Sequence, residues 1–369
     1  MTYLGESIPK LGFGLMRLPK LDDGSIDVEQ VKQMVDMFLE AGGTYFDTSR
    51  AYGDSEAAIR QALVERYPRE SYLLATKIPA WRRKTAEEAR ADFDISLEQT
   101  GAGFFDFYLI HNTGGARTAA FDRFGIWDFV KQLKADGKVR HIGFSHHDNA
   151  EKLEQIIVAH PEMEFVQLQV NYIDWENAIT QSRKCVETAW KHGLPVVIME
   201  PVRGGTLATP PAPIAEVLRA ANPDRSFPEW ALRFAFGVPN LVTVLSGMSN
   251  LQQMEENLQT WRAYEPLSDD ELATLRLAKQ KLDELLDNPC TNCQYCMRVC
   301  PKDIRIAATM EAFNRVAMYS MEHGKGWYEF QTMQGGKASE CIQCHQCEDA
   351  CPQHIEIVDK LQKAVELFE

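Results

Sequence analysis

The chain has 369 residues, and its 39 Lys and Arg against 53 Asp and Glu give a formal net charge of −14. A barrel of about 250 residues with a smaller second domain fits this length. The acidic balance disfavours nucleic acid and anionic membranes as partners. The first ten residues lack the regions of a signal peptide, and no run of about 18 apolar residues could span a membrane. The clustered cysteines described below favour a reducing compartment, so we expect a cytoplasmic protein.

Short apolar strands alternate with amphipathic helices over most of the chain. The predicted strands are 11–16, 44–47, 72–77, 105–111, 139–144, 165–170, 195–199 and 241–246. The predicted helices are 27–41, 55–66, 85–99, 126–135, 149–159, 179–192, 214–220 with 228–236, and 251–262. This alternation predicts a parallel sheet, and eight units in about 260 residues favour a (β/α)8 TIM barrel over an open doubly wound sheet.

The segment after the last barrel helix predicts the domain layout. Ser268 and Glu271 form a capping box that begins a leucine-rich helix, interpreted as a connector. The predicted domains are a barrel (1–265), the connecting helix (266–289) and a mostly α-helical, ferredoxin-like domain (290–369).

Eight of the nine cysteines lie in two runs with the same spacing. The runs are Cys290, Cys293, Cys296 and Cys300 before Pro301, and Cys341, Cys344, Cys347 and Cys351 before Pro352. This pattern is typical of proteins that bind two 4Fe–4S clusters, in which the fourth cysteine of each run ligates the other cluster. The predicted ligand sets are therefore 290, 293 and 296 with 351, and 341, 344 and 347 with 300. Zinc sites and disulfides are the alternatives, but zinc needs neither eight thiolates nor the prolines.

Four polar residues lie at or near predicted strand ends. Asp47, Lys77 and His111 end the second, third and fourth strands, and Tyr52 follows in the loop after Asp47. Each residue alone has an ordinary explanation, such as helix capping, a solvated charge or core packing. Since catalytic groups of such barrels lie at the carboxyl ends of the strands, we expect these four to meet.

These four residue types suit proton transfer to a carbonyl oxygen. Free tyrosine has a pKa of about 10, and a nearby ammonium favours its phenolate and lowers that pKa. Asp47 would hold Lys77 charged, and His111 would donate a hydrogen bond to a substrate carbonyl. Tyr52 would then act as the general acid while a hydride adds to carbon.

The segments that carry these residues resemble those of the aldo-keto reductases. The resemblance rests on Phe-Asp-Thr-Ser-Arg-Ala-Tyr-Gly at 46–53, Ala-Thr-Lys at 75–77 and Leu-Ile-His at 109–111, and it extends over about 5–262. It implies a catalytic tetrad of Asp47, Tyr52, Lys77 and His111, with NAD(P)H as hydride donor. With the two cysteine runs, the whole chain resembles the bacterial and archaeal subgroup of ferredoxin-fused aldo-keto reductases.

The resemblance also implies contacts to the nicotinamide. Ser145, His146 and Gln167 match the segments that bind its carboxamide, although His146 stands where an Asn is usual. Met199 stands where many members have a Tyr that stacks on the nicotinamide.

The segment after the last strand resembles the one that binds the cofactor phosphate and adenine. It contributes Gly247, Ser249, Gln253 and Asn257. Gly247 and Gln253 occupy the places of the Lys and Arg that hold a 2′-phosphate in the family. The charged side chains that would bind a 2′-phosphate are therefore missing. The cofactor could be NAD, weakly bound NADP or another molecule.

Hydride transfer moves two electrons, whereas each cluster moves one. The favoured function is NAD(P)-dependent interconversion of a carbonyl and an alcohol, with the clusters for electron transfer. The alternatives are a ferredoxin-linked reductase with a barrel-bound flavin or nicotinamide, and a redox sensor or electron carrier with a non-catalytic barrel. Trp81, Trp127 and Trp175 either line the substrate pocket or pack in the core.

Overall fold

Eight short parallel strands close into a barrel in the computed structural model, which describes residues 2–178, 180–290, 294–333, 335–351 and 353–369. They are β1 Leu11–Gly14, β2 Tyr45–Asp47, β3 Leu73–Ile78, β4 Phe105–Thr113, β5 Val139–His146, β6 Phe165–Gln169, β7 Val196–Met199 and β8 Leu241–Ser246. Each strand pairs with the next in parallel, and β8 pairs with β1. The predicted barrel is confirmed. Two predicted features, Cys293 and Pro352, lie outside the described residues.

The strands are apolar at nearly every position because both of their faces are covered. All six residues of β3 are buried, and they include the polar Thr76 and Lys77. Strands approach one another closely at Gly143, where a Cβ atom would lie only 2.5 Å from the carbonyl oxygen of Phe165. No larger residue fits there without a shift of the backbone.

Three strands extend beyond their predicted ends. β3 continues to Ile78, β4 to Thr113 and β5 to His146. The pairing of β4 with β5 shifts between Ile110 and Thr113, and Asn112 has a φ of +66°. Apolar patterning misses the ends of β4 and β5 because the added residues are polar and lie at this shift in the ladder, whereas β3 gains only Ile78.

Helices follow the strands as the alternation predicts. In chain order they are α1 Val28–Glu40, α2 Ser55–Ile59, α3 Ala86–Thr100, α4 Thr118–Arg123, α5 Ile126–Ala135, α6 Ala150–Ala159, α7 Ser182–Lys191, α8 Ala212–Ala221, α9 Phe227–Phe236 and α10 Leu251–Arg262. α2 continues as a π-helical segment, Arg60–Val64. After the barrel come α11 Asp269–Asp283, α12 Tyr295–Arg298, α13 Ile306–Met318, α14 Met321–Thr332, α15 Gln346–Asp349 and α16 Ile357–Phe368. No described helix is both long and apolar enough to cross a membrane.

The chain divides into two compact units. The barrel unit comprises Met1–Leu207 and Pro228–Leu267, and the second unit comprises Ala208–Phe227 and Ser268–Glu369. The predicted boundaries differ from these units in two respects. The predicted connector, α11, belongs to the second unit, and so does α8, which packs against α11 and which the sequence assigns to the barrel. Patterning identifies α8 as a helix but does not predict what it packs against.

The second unit has its own apolar core around the cysteine runs. Ile306, Met310, Tyr328, Leu361 and Phe368 are among its buried members. The long insert between the runs forms α13 and α14, as predicted, and the two helices pack tightly. A Cβ atom at Gly324 would lie 2.3 Å from the side chain of Val316 and 2.7 Å from Ala312 O. Glycine at 324 is therefore required by this helix contact.

Candidate active site and cysteine sites

A buried ion pair lies at the carboxyl end of the barrel. Lys77 Nζ donates to Asp47 Oδ1 at 2.5 Å and to the carbonyl oxygen of Thr48 at 2.8 Å. Lys77 is only 1 % exposed and Asp47 3 % exposed. Asp47 Oδ2 also accepts a hydrogen bond from Gln167 Nε2 at 3.4 Å. The ammonium is thus fixed by groups at the end of the neighbouring strand β2, and Gln167 on β6 holds the Asp47 carboxylate.

Tyr52 and His111 lie beside this ion pair. Lys77 Nζ is 4.9 Å from the centroid of the Tyr52 ring, and the two groups act on each other's pKa. The rings of Tyr52 and His111 meet edge to face with centroids 5.8 Å apart. The structure therefore brings the four predicted residues of the tetrad together, from β2, the following loop, β3 and β4.

The loop that carries Tyr52 is held by local hydrogen bonds. The hydroxyls of Thr48 and Ser55 are 2.8 Å apart, and the Ser55 hydroxyl donates to Leu15 O at 2.9 Å. The Tyr52 amide donates to Ser49 O at 2.9 Å, which closes a turn. Gly53 continues the chain with a φ of +61°, a conformation that favours glycine. The loop reaches α2 in seven residues while directing Tyr52 towards Lys77.

Burial and charge determine the protonation of this cluster. Burial alone would lower the pKa of Lys77, but the Asp47 carboxylate and the Tyr52 hydroxyl outweigh it and keep that pKa above its ordinary value. Burial also raises the pKa of Tyr52, and the opposing effect of Lys77 is smaller. Lys77 acts in the predicted direction, but the predicted net lowering of the Tyr52 pKa is not found. The phenol consequently stays protonated at neutral pH.

His111 is neutral and its ring is oriented by a serine. Burial, followed by the nearby positive charges, holds the pKa of His111 well below its ordinary value. The Ser49 hydroxyl lies 2.9 Å from His111 Nδ1 and already accepts the Ala51 amide, so its own proton is available for Nδ1. In the tautomer with Nδ1 as acceptor, Nε2 carries the ring proton and is the donor. Sequence reasoning missed Ser49, although it lies within the recognised motif.

The cysteines surround two cavities in the second unit. Cys290, Cys296 and Cys351 line one, whose empty volume, including space open to solvent, is about 330 Å³. Cys300, Cys341, Cys344 and Cys347 line the other, of about 310 Å³. Each cavity combines cysteines of both runs. These described cysteines are free thiols.

The described thiols are spread around the two cavities rather than gathered at one point. Four thiolates on one zinc ion lie about 3.8 Å apart, given a Zn–S distance of about 2.3 Å. Among the described residues, no three His, Cys, Asp or Glu side chains converge in a way that could hold one metal ion. The thiols instead line the walls of voids, as ligands of a larger iron–sulfur unit do.

Residues 10–279 match the profile of the aldo/keto reductase family. The chain belongs to this family. Residues 289–356 match the 4Fe-4S dicluster domain, so this reductase also carries a ferredoxin-type region.

Several known aldo-keto reductases are similar to the barrel. One from Mycobacterium sp. (strain MCS) is 29 % identical over 274 residues, which cover 73 % of this chain and 87 % of that protein. One from Mycolicibacterium vanbaalenii is 28 % identical over 271 residues, covering 73 % and 88 %. Among solved structures, the holo form of a Bacillus halodurans aldo-keto reductase has a TM-score of 0.61 at 22 % identity, covering 74 % of this chain and 93 % of that one. A Klebsiella pneumoniae aldo-keto reductase in complex with NADPH has a TM-score of 0.59 at 20 % identity, covering 74 % and 92 %.

Some of the residues predicted to contact the nicotinamide already use their side-chain polar atoms in hydrogen bonds within the protein. Ser145 Oγ accepts the Asn112 amide at 2.7 Å. His146 is hydrogen-bonded at both ring nitrogens, to Thr113 Oγ1 and to Asn149 O, each at 3.1 Å. The reductase thus uses His146 to join its own loops, and no ring nitrogen is left for a carboxamide. Met199 is half-buried at the end of β7, and Gln167 binds Asp47 as described above.

The segment after β8 is built around short polar contacts. Ser249 Oγ donates to Arg17 O at 2.7 Å, and the Ser249 amide donates to Gln253 Oε1 at 2.8 Å. Asn257 Nδ2 donates to Ser246 Oγ at 3.0 Å. A Cβ atom at Gly247 would lie 3.6 Å from the Arg17 side chain, so that side chain runs along the glycine. Arg17 is a residue of this site that sequence reasoning missed.

Three further residues at this end of the barrel were not singled out from sequence. The Arg17 guanidinium and the Glu200 carboxylate both lie near Gly204, and burial raises the pKa of Glu200. Arg82 and Arg117 end short 3₁₀ turns after β3 and β4. A search of the segments that follow each strand for charged residues could have found all of them, because those segments face the site.

The three tryptophans divide between pocket and core. Trp81 Nε1 donates to His111 O at 3.1 Å and so lies beside the site. Trp127 is buried and stacks on His160 with centroids 3.7 Å apart, and Trp175 packs against Phe234. Trp127 and Trp175 therefore pack in the core, which is the second of the two roles considered from sequence.

A pair of buried asparagines fixes the start of the first cysteine run. The Asn288 amide donates to Asn314 Oδ1 at 2.9 Å, and Asn314 Nδ2 donates to Asn288 O at 3.1 Å. Asn288 Oδ1 then accepts the Cys290 amide at 3.2 Å. The first cysteine of the run is thereby tied to α13.

Replacing Asn314 with alanine should destabilise the second unit. It leaves the Asn288 amide and carbonyl buried without these partners, at a cost of roughly 1–3 kcal/mol for each group. We expect the midpoint of thermal iron release, measured anaerobically, to fall by at least about 5 °C. Asn222→Ala, which removes one hydrogen bond to the exposed Asp224 amide, is the control and should leave the midpoint in place. An unchanged midpoint for Asn314→Ala would show that the asparagine pair does not secure this run.

Proposed function

We propose that the barrel interconverts a carbonyl compound and an alcohol with NAD(P)H as hydride donor, and that two 4Fe–4S clusters in the second unit carry single electrons. The observation that carries this proposal is the Lys77–Asp47 ion pair beside Tyr52 and His111. Taking two charges out of water costs several kcal/mol, so a buried pair is poor evidence of stability alone. A buried pair that lies beside a phenol at the mouth of a barrel is instead typical of an active site.

The proton chemistry follows from the protonation states of these residues. His111 Nε2–H is the donor that orients the substrate carbonyl, since its ring is neutral and Nδ1 is taken by Ser49. The protonated Tyr52 is the general acid for the carbonyl oxygen. As the proton leaves, the charge that develops on the phenol oxygen is stabilised by the Lys77 ammonium, which Asp47 holds in place. In alcohol oxidation, the same residues act in reverse order.

The residues around the barrel mouth are chemically suited to a dinucleotide. When bound, NAD(P)H supplies the hydride. Gln167 lies at the tetrad, where it could also bind the carboxamide. Gly247, Ser249 and the amino end of α10, with Arg17 beside them, provide small, polar and cationic groups for a pyrophosphate. The segment from 246 to 257 contains no Lys or Arg that could bind a 2′-phosphate.

The second unit is suited to two clusters. Its thiols line two voids of similar size. The described cysteines of each predicted ligand set line the same void, and Cys293 lies outside the described residues. When bound, the clusters supply one-electron transfer. A ferredoxin or another one-electron carrier is therefore the redox partner that we propose, alongside a small-molecule carbonyl or alcohol substrate.

Anaerobic purification followed by assay with both nicotinamides tests this function. We expect NADH and NADPH to be oxidised in the presence of aldehydes, with kcat/KM values within about tenfold of each other, because each missing charge-assisted bond to a 2′-phosphate is worth about 1.5–3 kcal/mol. The ultraviolet–visible spectrum should show cluster absorbance. Preference for NADPH of 100-fold or more would contradict our reading of the segment around Gly247.

A second candidate is a ferredoxin-linked reductase, which the match of residues 289–356 to a dicluster domain favours. In this case a flavin spectrum, or substrate reduction driven by reduced ferredoxin without NAD(P)H, would be found. Absence of turnover with every donor would instead favour an electron carrier with a non-catalytic barrel.

A further inference from the structure

Two arginines flank the proposed catalytic residues. Arg82 Nη1 donates to the carbonyl oxygen of Ala51, the residue before Tyr52, at 3.4 Å. Arg117 Nε donates to the carbonyl oxygen of Asn112, the residue after His111, at 3.0 Å. Each guanidinium is therefore held one residue from a member of the tetrad. We refer to Arg82 and Arg117 as the arginine pair.

Within the described part of the chain, neither member of the arginine pair forms an ion pair with a carboxylate. Among the described residues, no acidic oxygen lies within 4.0 Å of a guanidinium nitrogen of Arg82 or Arg117. Asp148 is the acid whose charge acts on Arg117, but its two oxygens accept the amides of Gly115 and Asn149, both at 2.8 Å.

Other arginines of the barrel are paired with buried acids. Arg69 binds Asp106 at 2.6 Å, and Arg83 binds Asp92 at 2.5 Å. In a chain of net charge −14, two unpaired arginines beside one site form a local excess of positive charge. Such an excess attracts anions and raises their local concentration.

The positive charges converge on His111. After burial, the effects that lower the pKa of His111 come from Lys77, His147, Arg82 and Arg117. Since the charge of Lys77 is neutralised by Asp47, the arginine pair supplies the excess positive charge near His111.

Arg82 is exposed and Arg117 is half-buried, and each has one feature that favours the binding of an anion. Arg117 is half-buried, and burial lowers the pKa of its guanidinium. The Arg82 guanidinium lies 4.9 Å from the centroid of the Trp81 ring, which is itself hydrogen-bonded to His111 O. A partly dehydrated guanidinium and one supported by an aromatic face both bind planar anions well.

We propose that the substrate carries an anionic group, a carboxylate or a phosphate, which the arginine pair binds while the carbonyl lies between Tyr52 and His111. This inference rests on the proposed function and names its substrate class. In the reaction, hydride from NAD(P)H adds to the carbonyl carbon and the Tyr52 proton adds to the oxygen. The anionic group is unchanged, and NAD(P)⁺ and the hydroxy acid or hydroxy phosphate are the products.

Turnover of acid and ester pairs tests the inference. The substrates are 4-oxobutanoate and 4-carboxybenzaldehyde, each compared with its methyl ester, using the full chain with its clusters. We expect kcat/KM for the better acid to exceed that of its ester at least about tenfold, as one charge-assisted interaction allows. Arg82→Gln and Arg117→Gln should each reduce this acid-to-ester ratio severalfold, and Arg117→Lys should retain more of it than Arg117→Gln.

A matched control lies at the opposite end of the barrel. Arg140, in the second position of β5, pairs with Glu6 and Asp106. Arg140→Gln should leave the acid-to-ester ratio as it is in the unmodified enzyme. D-glyceraldehyde 3-phosphate, assayed in parallel, distinguishes the two anions, because a still higher kcat/KM would identify phosphate as the group bound.

Direct binding gives a readout that does not depend on turnover. Calorimetric titration with glutarate in the presence of NADH should show saturable binding that the double variant Arg82→Gln/Arg117→Gln loses, and dimethyl glutarate should not bind. Equal kcat/KM for acid and ester, with no glutarate binding, would overturn the anionic-substrate inference and leave carbonyl reduction standing. Failure to reduce any of these carbonyl compounds or a neutral aldehyde panel would overturn the proposed function and this inference with it.

Discussion

Replacing Tyr52 with phenylalanine should lower kcat for carbonyl reduction by about 10²–10⁴-fold, the usual contribution of a positioned general acid. The substitution removes one hydroxyl and leaves the ring that packs edge to face on His111. The dissociation constant of NADH, measured by fluorescence titration, should stay within about twofold because the change is worth little to ground-state binding.

Tyr67→Phe is the matched control. Its hydroxyl donates to Asp36 at 2.5 Å, in the segment after α2 and away from the tetrad. The same chemical change there should leave kcat as it is. Turnover by Tyr52→Phe equal to that of Tyr67→Phe would reject the proton-transfer role of Tyr52.

The pH dependence of reduction gives the same hypothesis a second test. The general acid must be protonated, and burial raises the pKa of Tyr52 above its ordinary value of 10. The rate of reduction should therefore be insensitive to Tyr52 through neutral pH and fall only as the pH rises through that raised pKa. Titration of His111 should not lower the rate of reduction near pH 6.5, since the pKa of His111 lies well below that value. Tyr52→Phe should lack the alkaline decrease.

The barrel could be predicted because each of its strands is a short apolar run between amphipathic helices. Asp47, Lys77 and His111 were found from position alone, as polar residues that end such runs. Their assembly with Tyr52 follows from parallel strands, whose carboxyl ends meet at one edge.

The remaining features depend on contacts that no spacing encodes. Ser49 orients His111 through a turn, and Arg82 and Arg117 reach main-chain carbonyls from separate loops. The pKa of Tyr52 is raised because burial outweighs the opposing effect of Lys77, and the sequence does not show how deeply the hydroxyl is buried. His146 shows the same limit, because both of its hydrogen bonds link it to residues of the fold.

The placement of α8 and α11 could not be predicted for a related reason. Both helices are amphipathic, and an apolar stripe does not identify the surface that it packs against. In contrast, the two cysteine runs predicted the chemistry of the second unit because their spacing is set by the geometry of the cluster.

Replacing Cys351 with alanine should remove the same cluster as replacing Cys290. The two residues are 61 positions apart but line one cavity, together with Cys296, whereas Cys300 lines the cavity of the second run. Each single variant should contain about four iron atoms per chain after anaerobic purification, in place of about eight. Cys185→Ala, which removes a buried thiol of the barrel unit, is the control and should retain about eight.

Double variants separate crossed ligation from ligation within each run. If the clusters are shared between runs as proposed, Cys290→Ala/Cys351→Ala should retain about four iron atoms, while Cys290→Ala/Cys300→Ala should lose nearly all eight. Ligation within each run requires the opposite order. Spin counts from electron paramagnetic resonance after dithionite reduction should follow the iron content, with one reduced cluster in the first double variant and none in the second. Because both doubles remove two cysteines, a general loss of stability would affect them alike, and only the pattern of ligation can make them differ.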